Sequence, residues 1–191
     1  MLSASPLILL VAHAAALTTP LVATRHASRT SDVRMGILKG IDPLLTAEAL
    51  YALRSAGHGD VIAVVDANFP AASTAVDCVI DDVIQLAGVD CTQAMAAIGS
   101  LLPLDLFVDE PVGKMVPSPG NELPPLGKEV HDEALAALGS GFGVESIERF
   151  DFYAAANEAF AVFQCTGERR PYGCFLLAKG VVGPDGNDLK P

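Results

Sequence analysis

The chain has 191 residues, 51% of them hydrophobic and 18% charged, which is enough apolar side chain for one globular domain with a core of its own. Its 12 Lys+Arg face 23 Asp+Glu, a formal net charge of −11 that argues against a nucleic-acid or anionic-membrane partner and favours a neutral or cationic ligand over a phosphate ester.

Residues 1–34 read as a targeting leader. An apolar stretch at 7–17 runs into Ser, Thr and Ala with Arg25, Arg29 and Arg34, and no acid precedes Asp32. A stretch of eleven residues is too short to span a bilayer, which takes about 20. The stretch suits a signal-peptide core and the segment after it a transit peptide, so the expected address is the secretory route or a plastid, with the cytoplasm as the default. Residues 35–191 are the expected mature domain, with 9 basic and 22 acidic residues and a net charge of −13.

Residues 41–57 predict an amphipathic helix, with Thr46 as N-terminal cap and Gly57 as its stop. The run VIAVV at 61–65 predicts a strand covered on both faces, ended by a loop at 66–70. A second strand is expected over 78–84, and a helix over 91–102 capped by Asp90 or Thr92. Pro103 ends that helix and 104–108 reads as a strand carrying Asp105; the Pro- and Gly-rich stretch 111–125 reads as a long loop, whose length suits a lid or a partner contact and, more commonly, a solvated insertion. A helix over 126–138, a strand over 144–149, a short helix over 151–158 and strands over 160–165 and 172–178 complete the chain. Strands alternating with helices imply an α/β sheet covered on both faces.

The four cysteines, Cys78, Cys91, Cys165 and Cys174, have neither CxxC spacing nor neighbouring histidines, so they read as buried free thiols; a bridge such as Cys165 to Cys174 is the alternative for a secreted chain. No metal site is read from them. Glu168, Arg169 and Arg170 read as an ordinary surface turn. Loops of the GxxxxGK[ST] and GxGxxG types, a GxSxG elbow and HExxH are all absent, which leaves acid–base chemistry by His, Asp and Tyr.

Two histidines remain beyond the leader. His131, in a segment rich in Lys and Glu, reads as solvated surface. His58 lies between Gly57 and Gly59 just after a helix, where backbone or ligand can approach closely and an imidazole can both donate and accept a proton near neutral pH. The same position also suits a histidine that hydrogen-bonds the last helix carbonyls. Asp66, at the end of an apolar strand, suits either a ligand crevice or a cap of the next turn. Asp105, Arg149, Tyr153 and Tyr172 also sit at element ends, and Phe69, Phe152 and Tyr153 offer aromatic faces on which a sugar ring could pack.

The segments GIDPLL, ALYALRSAGHGDVIAVVDANFPA, LLPLDLFV, IERFDFYAAANEAFAVFQCTGERRPYG and LLAKGV together resemble the RbsD/FucU family, in its fucose mutarotase branch, across residues 35–182. The resemblance implies a three-layer α/β/α fold with a mixed central sheet, and a ring-like homo-oligomer with sites at subunit contacts. It implies an isomerase acting on a free monosaccharide such as L-fucose, with no cofactor; ribose pyranase activity or sugar binding without catalysis are the alternatives. Carried over residue by residue, it makes His58 the proton donor and Tyr153 a second catalytic group. Asp66, Asp105, Arg149, Tyr172 and the position of Cys174 become sugar contacts. The family's closing Tyr-Gly-Asn is here Tyr172, Gly173 and Cys174, and a thiol is a poor substitute for an amide that both donates and accepts. Geometry adds one constraint. Eight extended residues would separate His58 from Asp66 by about 26 Å, so one sugar can meet both only if the run bends or if neighbouring chains share the site.

Overall fold

The computed structural model describes residues 36–191, so the predicted leader lies outside the described residues. Helix α1 spans Ala47–Ser55 and begins later than its periodicity predicts, because Pro43 and its neighbours form turns instead; Thr46 caps it, its hydroxyl accepting from the Ala49 N–H. Strand β1 (Val61–Val65) follows, then a short helix α2 (Ala71–Ala75), strand β2 (Ile84–Leu86) and helix α3 (Cys91–Gly99). Asp90 caps α3 in a reciprocal box with Gln93, so the cap is Asp90 and not Thr92. Strand β3 (Val112–Val116), helix α4 (Pro125–Leu138), strand β4 (Val144–Glu148), helix α5 (Arg149–Asn157), strand β5 (Ala161–Cys165) and strand β6 (Phe175–Ala178) complete the order.

The six strands form one sheet in the order β2-β5-β1-β6-β3-β4. β2, β5 and β1 run parallel, as do β3 and β4, and β6 is antiparallel to both of its neighbours. The sheet is therefore mixed. Alternation along each strand sorts the core into two layers. Ile62, Val64, Phe163, Phe175 and Leu177 join α1, α3 and α4 on one face. Ala63, Val65, Val162 and Leu176 join Phe152, Ala156 and Ala71 of α5 and α2 on the other. This is the expected α/β/α sandwich.

Three strand expectations are corrected. The Pro/Gly stretch is not one loop, because residues 112–116 form β3 well inside the sheet, paired with both β6 and β4. Gly113, which weakens the apolar run to a reader of the sequence, is needed there: an added Cβ would lie 2.5 Å from Ile147 Cδ1. Residues 104–108 are no strand. Leu104 makes a single bridge to Lys179, after which the Asp105 carboxylate accepts from the Phe107 N–H at 3.1 Å and turns the chain. The second strand begins at Ile84, because the thiol of Cys78 is engaged by the carbonyls of Thr74 and Ala156 and the paired Asp81 and Asp82 stay in a solvated turn.

All four cysteines are buried free thiols, as expected, and Cys165 and Cys174 are unbridged. His131 is not solvated surface: only 2% of it is exposed, and it packs edge-on against Phe175. Glu168 is likewise buried. Arg170 clasps it through Nε (2.9 Å) and Nη2 (2.8 Å), so the expected surface turn is an anchored one. No helix among the described residues is long and apolar enough to cross a membrane.

Candidate active site

Because five of the six strands are parallel, their carboxyl ends share one edge of the sheet, the place where open α/β sheets bind ligands. A cleft of about 240 Å³ opens there, lined by Asp66 at the end of β1, Arg149 at the end of β4 and Tyr153 from α5, with Tyr172 and Cys174 leading into β6. Asn68, Phe69, Met115 and Pro171 complete it. The volume is below the roughly 300–1,000 Å³ of drug-sized sites and suits a molecule with a single ring.

Asp66 serves both of its expected roles. Its Oδ1 accepts from the N–H groups of Asn68 (2.8 Å) and Phe69 (3.0 Å), which closes the turn, and its Oδ2 accepts from the Cys174 thiol at 3.5 Å. Burial raises the Asp66 carboxyl above its ordinary value against the pull of these hydrogen bonds. Burial also raises the Cys174 thiol, which stays protonated as the donor, and the Tyr153 phenol.

Tyr153 stands edge-on to Phe69 at 5.5 Å and to Phe150 at 6.2 Å, which fixes its ring in the cleft wall. Phe152, expected as a sugar-facing ring, is fully buried beneath Phe69 and faces no ligand. The Arg149 guanidinium lies over the Phe150 ring at 4.5 Å, and its buried Nε has no hydrogen-bond partner in the chain. A buried donor left empty costs stability, so a ligand oxygen is its natural complement.

His58 and Asp105 are elsewhere. β1 stands extended between His58 and Asp66, so the histidine lies at the opposite edge of the sheet. Its Nε2 is 3.2 Å from Asp105 Oδ2, with the histidine side chain 51% exposed and the aspartate 8%. Phe107 meets the imidazole edge-on at 5.9 Å. Lys179 holds this loop: its Nζ donates to the carbonyls of Leu53 and Ala56, and its backbone pairs with Gly59 and Asp60, both at 2.8 Å. The last carbonyls of α1 are thus taken by Lys179 and not by His58. Gly59 has φ 84°, a conformation that favours glycine. With Nε2–H given to Asp105, the other ring nitrogen is free to exchange a proton with a ligand. A second cleft of about 640 Å³ adjoins His58, walled by α1, Leu101, Pro103 and Val182.

Of the seven residues singled out in the sequence, five therefore meet in one cleft and two pair at the far edge. Met115 gave no signal, sitting in a stretch that reads as loop. Lys179, which lies within the LLAKGV segment but is not singled out there, holds the His58 loop, and His131, which lies in none of the quoted segments, supports the Asp66 cleft from outside it.

A profile of the RbsD / FucU transport protein family matches residues 39–182. The fucose mutarotase of Danio rerio is 41% identical over 155 residues, covering 79% of this chain and 98% of the relative; that of Homo sapiens is 39% identical over 151 residues, covering 78% and 96%. Among solved structures, the fucose mutarotase of Streptococcus pneumoniae in complex with L-fucose superposes with a TM-score of 0.66 at 31% identity, covering 76% of this chain and all of the other.

Proposed function

The chain belongs to the RbsD/FucU family, and on that premise we propose that it is an isomerase, a mutarotase that interconverts the α and β anomers of a free monosaccharide, L-fucose first. The observation that carries this reading is the cleft itself: Asp66, Arg149, Tyr153 and Tyr172 converge on a space for one sugar ring, with the Arg149 Nε unpaired. A sugar presents hydroxyls all round, and the cleft supplies acceptors, donors and an aromatic wall.

Mutarotation breaks the C1–O5 bond of the hemiacetal ring as the ring oxygen gains a proton and the anomeric hydroxyl loses one. The open aldehyde rotates about C1–C2 and closes on its other face by the reverse transfers, so no proton is gained or lost overall. We assign the donor role to His58 and the relay of the anomeric proton to Tyr153 beside Asp66, whose raised carboxyl is moved toward the range of a working base. Asp105 orients the imidazole.

The separation of His58 from the cleft favours a site shared between copies, in which the His58 edge of one subunit closes over the cleft of its neighbour. A homo-oligomer is part of this proposal. So is a targeting leader over residues 1–34, whose removal would leave residues 35–191 as the mature domain. Saturation-transfer NMR on L-fucose tests the activity. Faster exchange between anomers supports the reading; silence on L-fucose with exchange on D-ribose would make the chain a pyranase, and saturable binding of sugars without exchange would leave a binding protein.

A further inference from the structure

Tyr172 is the one non-glycine residue with positive φ (65°) among the described residues. Side chains disfavour this conformation, and it persists where surrounding structure over-determines it, commonly at functional sites. Here the restraint can be traced. The Tyr172 carbonyl accepts from the Cys174 N–H at 2.8 Å and from His131 Nε2 at 2.8 Å. Gly173, next in the chain, is seated against Val130, Glu168 and Cys91, and its carbonyl takes the Cys91 thiol at 3.0 Å. The phenol lines the cleft while the carbonyl faces the α3 and α4 layer on the other side of the sheet.

We infer that His131 is a positioning residue that acts on the sugar through Tyr172. From α4 it holds the peptide after Tyr172 in the orientation that keeps the phenol in the cleft. Nothing in the acid–base steps uses it, yet it is a buried imidazole spent on a single strained carbonyl. A phenylalanine would satisfy the packing against Phe175 equally well. What only a nitrogen donor supplies is the bond to Tyr172. The inference rests on the proposal that Tyr172 touches the sugar.

The test uses the full chain and anomer exchange of L-fucose. His131→Phe keeps an aromatic ring and loses the donor; it should raise KM about tenfold and leave kcat within about twofold, as expected for a displaced binding group. His131→Gln, which restores an N–H donor, should recover most of the loss. In a Tyr172→Ala background there is no phenol to place, and His131→Phe should add nothing. An unchanged KM in His131→Phe, or the same KM penalty with and without the Tyr172 side chain, would overturn the inference. If His131→Phe does not fold, the imidazole ¹⁵N spectrum of the wild type decides: an Nε2–H tautomer with a slowly exchanging proton supports the bond, and an Nδ1–H tautomer removes it. A wild type silent on every sugar would instead fail the mutarotase reading, and the tautomer would still be measured.

Discussion

His58 and Tyr153 sit at opposite edges of one subunit, and pairing variants of the two residues tests whether a site spans two subunits. His58→Ala removes a half-exposed side chain whose contacts are Asp105 and Phe107. A partly exposed histidine–carboxylate contact contributes up to about 1 kcal/mol, and leaving the Asp105 carboxylate uncovered costs about as much again. A loss of about 2 kcal/mol leaves a domain of ordinary stability, about 5–15 kcal/mol, folded. Activity should fall by about 10²- to 10⁴-fold, the worth of one positioned acid. Tyr153→Phe removes only a hydroxyl and should also fold, with a comparable loss. When the two inactive variants are unfolded together and reassembled at equal amounts, a shared site takes an intact His58 from one chain and an intact Tyr153 from the other. Random assembly then restores about one quarter of wild-type exchange, because each contribution is intact half the time. Saturation-transfer NMR on L-fucose reads the recovery and circular dichroism confirms folding. No recovery from a verified mixed oligomer would refute the shared site, and full activity in His58→Ala alone would remove His58 from the mechanism.

Asp66→Asn should lose at least about 10²-fold in exchange and yet be no less stable at neutral pH. A carboxyl whose folded pKa lies above its unfolded value favours folding most at low pH, and that contribution is lost as pH rises through the folded value. The stability gap to the asparagine variant should therefore close on acidification toward pH 3.8, the ordinary value of the group, in urea titrations. A variant markedly less stable at pH 7 would contradict the assignment of burial as the dominant cause. Arg170→Ala should cost about 3 kcal/mol, since it strands the buried Glu168. Burial works to raise the Glu168 carboxyl, but the Arg170 hydrogen bonds and charge hold it below its ordinary 4.5. Stability from this pair is present above that value and lost as pH falls through the folded pKa, so the deficit of Arg170→Ala should shrink in acid; a deficit independent of pH would locate the cost in packing. Cys174→Asn supplies an amide where the thiol now faces Asp66, and should lower KM for L-fucose by up to about tenfold, the worth of one added hydrogen bond. An unchanged KM would show that the thiol already serves the sugar as well as an amide.

Much of the fold was legible because local rules and tertiary packing agree. Thr46 and Asp90 cap helices where capping chemistry places them, and VIAVV is apolar on every residue because both faces of β1 are covered. The readings that failed are those decided by distant partners. β3 is a strand because β6 and β4 flank it, although Gly113 and Lys114 interrupt its apolar run. Residues 104–108 read as a strand and turn instead, because one carboxylate captures a neighbouring N–H. His131 looked solvated among charged neighbours, which occupy the other faces of the same helix.

For the site, the sequence by itself supplied the chemistry: a glycine-flanked imidazole, carboxylates at element ends, RFDFY and the TGERRPYG turn are local features, and a motif is legible when its residues are neighbours in the chain. Where those groups stand was left to the tertiary structure. Parallel pairing brings the ends of β1 and β4 to one edge and sets Asp66 beside Arg149, 83 residues further along the chain. The same extended β1 carries His58 to the other edge, beside Asp105. Side-chain type is written residue by residue, but which side chains meet depends on strand order and direction, and those are fixed by hydrogen bonds between segments that no local pattern pairs.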